Sequence, residues 1–96
     1  MFIIFLRFTI DKARAPLFME AHNAWLRQGF EDGVFLLAGG LDAGQGGALL
    51  AYGMDAATVA ARLAADPFVS EGIVTPEIHA ITPGRLDDRL GFLRAA

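Results

Sequence analysis

The first strand-forming run limits the fold more than any other stretch. Phe2-Ile3-Ile4-Phe5-Leu6-Arg7-Phe8-Thr9-Ile10 is crowded with β-branched and aromatic side chains and is apolar at nearly every position. A strand wet on one face alternates apolar and polar residues. One that does not alternate reads as covered on both faces and central in its sheet. A chain of 96 residues has room for one domain, so few elements are left to supply the two covers.

The rest of the chain can be divided at its helix breakers. Asp11 offers a turn or cap. From Ala13 or Pro16 to about Asp32 the chain reads as a helix whose regular part starts at Pro16, because proline is tolerated only in a first turn. Leu17, Phe18, Ala21, Ala24, Trp25 and Leu26 recur at three- and four-residue spacing and mark its apolar face. Gly33 is the expected left-handed stop. Val34–Ala38 is a second strand, Gly39–Gly47 a glycine-rich connection and Ala48–Tyr52 a third strand, which together predict a hairpin.

Asp55 caps a second helix, Ala56 to about Ala65, with Val59, Ala60 and Leu63 facing inward. Pro67 stops it: proline has no N–H to continue the ladder, and it pushes Asp66 out of the α region. Beyond Gly72, Ile73–Thr82 forms a fourth strand. Val74, Pro76, Ile78 and Ala80 share one of its faces, and Ile73, Thr75, Glu77, His79 and Ile81 share the other. Pro76 assigns this strand to a sheet edge, since a central strand needs that N–H.

The order β-α-β-β-α-β predicts an α+β, ferredoxin-like domain over residues 1–82: a four-stranded antiparallel sheet with both helices on one face. The tail, residues 83–96, carries Leu86, Leu90 and Leu93 at helical spacing and reads as a short helix docked on the domain or on a partner. Two helices on one face leave the other open, although the first strand reads as covered on both. The chain is 54% hydrophobic with a mean hydropathy of +0.42, more than one small core can bury. Both observations predict a second sheet against the first, hence a homodimer.

Composition excludes several functions. Lys and Arg number 8 against 11 Asp and Glu, a net charge of −3 with no basic cluster longer than a pair, so nucleic acid finds no positive stripe. Met1–Leu6 is the longest apolar run, far below the ~20 residues of a membrane span. It has no basic flank or cleavage site of a signal peptide, and the expected compartment is the cytoplasm. Without cysteine there is no thiolate chemistry, and two scattered histidines give no metal-ligand spacing. The glycines at 39–47 lack the lysine and hydroxyl residue of a phosphate loop. Neither metal nor cofactor is expected.

His22 and Asp66 are the candidates for chemistry. An imidazole with an ordinary pKa of ~6.5 is a general acid–base when a carboxylate fixes its tautomer. His22 sits one helical turn from Phe18 and Met19 and one from Trp25 and Leu26, an apolar wall with one polar tip that suits a small, flat ligand. Read alone, His22 is more readily a core-edge histidine bonded to a carbonyl, and Asp66 a helix-ending aspartate. Arg7 either neutralises an anionic ligand or snorkels to solvent. Ser70 stands near Asp66, while His79 with Glu77 either lines a cleft or is solvated on an edge strand.

The residues Ala21-His22-Asn23-Ala24-Trp25-Leu26, Asp32-Gly33, Gly39-Gly40, Gly46-Gly47, Ala65-Asp66-Pro67-Phe68-Val69 and Gly72, following an apolar first strand, resemble the YciI-like (YCII-related) family over roughly residues 1–82. The resemblance implies a dimeric α+β barrel in which two sheets face each other. It also implies a His–Asp pair, falling on His22 and Asp66, in a cleft near the dimer interface. The chain departs from the family pattern in having Gly39-Gly40 where a Gly-Pro pair is frequent, and in the length of its tail. On this basis the expected function is a cofactor-independent enzyme using His22 and Asp66 on a small organic molecule. Arg7, Phe18, Trp25, Ser70 and His79 are candidate binding residues. The alternative is a non-catalytic dimeric module that binds a small ligand or serves as an accessory domain.

Overall fold

The structure, a computed structural model, describes residues 1–95. Seven elements carry the domain: β1 (Phe2–Phe8), α1 (Ala15–Glu31), β2 (Phe35–Gly40), β3 (Gly46–Ala51), α2 (Ala56–Ala64), a single helical turn α3 (Pro67–Ser70) and β4 (Val74–Ala80). Short 3-10 turns lie at Lys12–Arg14, Asp42–Gly44 and Asp88–Ala95. The strands form one sheet in the order β2-β3-β1-β4 with every pair antiparallel, a ferredoxin-like α+β fold. β1 is central and β4 lies at an edge, the place in a sheet where a proline such as Pro76 is tolerated.

Local chemistry explains most boundaries. Gly33 takes φ 74° after the Asp32 cap and ends α1. Asp55 accepts from the Thr58 N–H at 2.8 Å and starts α2. Gly46, with φ 136°, opens β3 where any Cβ would collide with the Leu6 carbonyl of β1, so close approach of two backbones requires glycine there. The glycines 39 and 40 belong to β2 itself, so the connection is shorter than expected. β1 ends at Phe8, and Ile10 is fully exposed.

The core lies between the sheet and the helices. Phe2, Ile4 and Leu6 of β1, Leu49 and Ala51 of β3 and Phe35 of β2 meet Val59 and Leu63 of α2, Ala15 of α1 and Phe68 of α3. Burying each large apolar side chain contributes about 1.5–3 kcal/mol. The inward stripe of α1 differs from the expected one. Ala15, His22 and Gly29 are buried with Phe18, Trp25 and Leu26 partly so, whereas Ala21, Ala24 and Leu17 face out, Leu17 at 77% exposure. Ala60 of α2 is likewise exposed.

Alternation sends Ile3, Phe5 and Arg7 to the other face of the sheet, opposite Leu50, Ala48 and Gly46 of β3 and opposite His79, Glu77 and Thr75 of β4. Helices α1 and α2 pack on the opposite face, and Ile3 and Phe5 are only half-buried. In the isolated chain β1 therefore has one sealed face and one open face. The tail lies apart from the helix-side core: Leu93 is fully buried and Phe92 sets its ring edge-on against Tyr52, with centroids 5.3 Å apart. Among the described residues, no helix is long and apolar enough to cross a membrane.

Candidate active site

α1 presents His22 to the corner after α2, where Asp66 waits. The Asp66 backbone is extended (φ −67°, ψ 124°) because Pro67 follows, and its side chain caps α3 by accepting from the Phe68 N–H at 3.0 Å. The same oxygen, Oδ1, lies 2.8 Å from His22 Nδ1, although the two residues are 44 positions apart. A carboxylate oxygen accepts, so the bond runs from Nδ1–H to Oδ1 and leaves Nε2 outside it. Asp66 is fully buried and its Oδ2 has no hydrogen-bond partner among the described residues. Within the site the imidazole and the Phe68 N–H both bond to Oδ1.

Aromatic rings fix the imidazole plane. Phe68 stacks on His22 at 4.0 Å between centroids and 4° between planes. Trp25 lies further out, at 5.9 Å and 25°, with its indole N–H donated to the Arg62 carbonyl at 3.0 Å. A ring stacked on one side and bonded at Nδ1 has little freedom to rotate. Phe68 was not among the residues expected from sequence to bind a ligand, and its signal was its place two residues after Asp66.

His22 forms part of the wall of a cavity of about 290 Å³. Leu6, Phe8, Met19, Leu26 and Phe68 supply apolar lining, Asn23 is the other polar side chain, and Gly39, Gly40, Gly46 and Gly47 contribute bare backbone. The arrangement suits a small, mostly apolar ligand with one polar atom in reach of an acid–base group.

The other expected binding residues lie elsewhere in the chain. Phe18 packs against the core and Trp25 lies behind His22; neither lines the cavity. Ser70 is exposed; its N–H donates to the Asp66 carbonyl at 2.9 Å, but its hydroxyl donates to the Pro67 carbonyl at 3.3 Å and not to the Asp66 side chain. Arg7 and His79 lie on the open face of the sheet, both bound to Glu77, at 3.4 and 2.9 Å. The His79 and Arg7 bonds hold the Glu77 carboxyl below its ordinary range, the His79 bond most strongly. Phe5 packs beneath them, with its centroid 5.8 Å from that of His79. Within one chain, then, the sheet separates this trio from His22. Among the described residues no cluster of His, Cys, Asp and Glu could hold a metal ion.

No protein-family model and no curated protein matches the chain. Among solved structures, the chain resembles 5-chloro-2-hydroxyhydroquinone dehydrochlorinase from Burkholderia phenoliruptrix, in complex with 2,5-dihydroxybenzoquinone. The TM-score is 0.71 at 18% identity, over 86% of this chain and 94% of that one. At that identity the likeness concerns the fold, and it places the chain among ferredoxin-like α+β structures that include an enzyme acting on a small molecule.

Proposed function

We propose that the protein is a cofactor-independent enzyme of the cytoplasm, of YciI-like kinship and dimeric through its open sheet faces, that moves a proton on a small organic substrate by isomerisation or elimination. His22 is the general acid–base. Its Nε2 takes a proton from a substrate carbon, the released electron pair forms an enolate or expels a leaving group, and the imidazolium returns the proton to another atom of the enolate or to the departing group. Asp66 orients the ring and balances its charge. One observation carries the reading: a fully buried carboxylate bonded at 2.8 Å to a histidine that walls an apolar cavity. The fold neighbour, an enzyme whose name and ligand are hydroxylated six-membered rings, supports flat, oxygenated rings as the first substrates to try.

The test is proton exchange from solvent deuterium into such rings, 2,5-dihydroxybenzoquinone included, followed by mass spectrometry. Wild type is expected to accelerate exchange, and His22→Gln to lose roughly 10²–10⁴ of that acceleration while still binding the ring. Equal exchange by wild type and His22→Gln would overturn the catalytic role and leave a module that only binds.

A further inference from the structure

Lys12 lines a hollow that shares two wall residues with the His22 cavity. Its ammonium donates to the Gly44 carbonyl at 2.7 Å and lies 5.0 Å from the centroid of the Phe8 ring. Phe8 and Met19 line the His22 cavity and also a second, more open hollow of about 600 Å³, whose remaining lining is Lys12, Ala13, Ala15 and Pro16. Lys12 is the one ionisable residue lining the second hollow, as His22 is in the first. It pairs with no carboxylate among the described residues, unlike Arg7, Arg14, Arg62 and Arg89. A cation whose sole hydrogen bond is to a neutral carbonyl gains by exchanging it for an anion, because charge-assisted bonds are about twice as strong as neutral ones. The flexible four-carbon stem makes the exchange a matter of side-chain rotation.

Resting on the proposed acid–base reading of His22, we propose that Lys12 is the substrate-selecting cation of this site and that the substrate is a small organic anion, a carboxylate or an acidic phenol. Its acidic group reaches the lysine while its apolar body lies along Phe8 and Met19 toward the imidazole. Proton abstraction by His22 adds negative charge to such a substrate, and a cation at the rim is where that charge is best met. In the resting protein the same lysine straps the Lys12–Arg14 turn to the turn between β2 and β3.

The probes are 4-hydroxybenzoate and 4-hydroxybenzamide, similar in shape and different in charge, with binding followed by NMR on the His22 ring signals. Wild type is expected to bind the acid about fivefold more tightly than the amide at low salt, a preference that added salt weakens. Lys12→Met abolishes the preference and Lys12→Arg preserves it. If both probes shift the His22 signals equally, or if Lys12→Met keeps the preference, Lys12 is only a strap and the charge selection fails while the His22 site stands. If neither probe moves His22 at millimolar concentration, the site reading and the inference built on it both fall.

Discussion

At the scale of single residues the site depends on one oxygen. Asp66 Oδ1 accepts both the His22 Nδ1 proton and the Phe68 N–H, so it joins the start of α3 to the tautomer of the candidate base. Asp66→Asn can present an N–H to Nδ1, which moves the imidazole proton to Nε2. The ¹⁵N shifts of the His22 ring are expected to reverse between the two nitrogens, with exchange activity reduced by about 10²–10⁴. Unchanged shifts would show that Asp66 does not set the tautomer. Phe68 is buried against the same ring. Phe68→Ala leaves a cavity and is expected to lower stability by about 3–5 kcal/mol in urea unfolding, whereas Phe68→Leu is expected to cost less than ~1.5 kcal/mol and to loosen only the imidazole.

At the scale of elements, α1 and β2 are fitted to each other through Gly29, where an added Cβ would run into the ring of Phe35. Gly29→Ala gains about 1 kcal/mol of helix propensity but overpacks the core, a cost of about 1–3 kcal/mol. The net expectation is a lower urea midpoint, and a higher one would show that Phe35 can move aside. Gly40 is the reverse case. It has no positive φ, and a Cβ there meets only the Gly46 carbonyl at 3.9 Å, so the fold gives no reason for glycine in that strand. Gly40→Val is expected to leave stability within ~0.5 kcal/mol and to block ring binding by filling the cavity it lines. The helix ends share the acid response with Glu77 and Asp87, whose carboxyls are also held below their ordinary values. Gln28 and Arg62, bonded to Asp32, hold its carboxyl below the usual aspartate value, and Thr58 does the same for Asp55. A carboxyl whose folded value is lowered contributes stability above its unfolded value and loses it as pH falls through the folded one. Melting temperature should therefore decline below about pH 4, and less steeply in Asp32→Asn.

At the scale of the whole molecule the sheet has one sealed face and one open face. Leu37, 54% exposed, pairs with Leu50 there, beside Ile3 and Phe5. A facing sheet from a second copy would cover them, and light scattering at micromolar concentration is expected to give about twice the 10.3 kDa of the chain. Leu37→Glu is expected to give a folded monomer. A monomeric wild type would instead count against sheet-to-sheet pairing. Much of the architecture is legible in the chain itself, because its signals are steric and act within a few residues. Pro76 assigns β4 to an edge, Pro67 and Gly33 end helices, Asp55 starts one, and the order of strands and helices leads to the sheet. Tertiary structure decided the rest. The inward stripe of α1 runs through Ala15, His22 and Gly29, and not through Leu17, because Phe35 and Phe68 arrive from other elements to meet it. Composition along one helix does not say which apolar stripe a distant ring will choose, nor that the sheet will separate Arg7 and His79 from His22. Local sterics bend the backbone at Asp66, but only packing across 44 residues brings an imidazole to it.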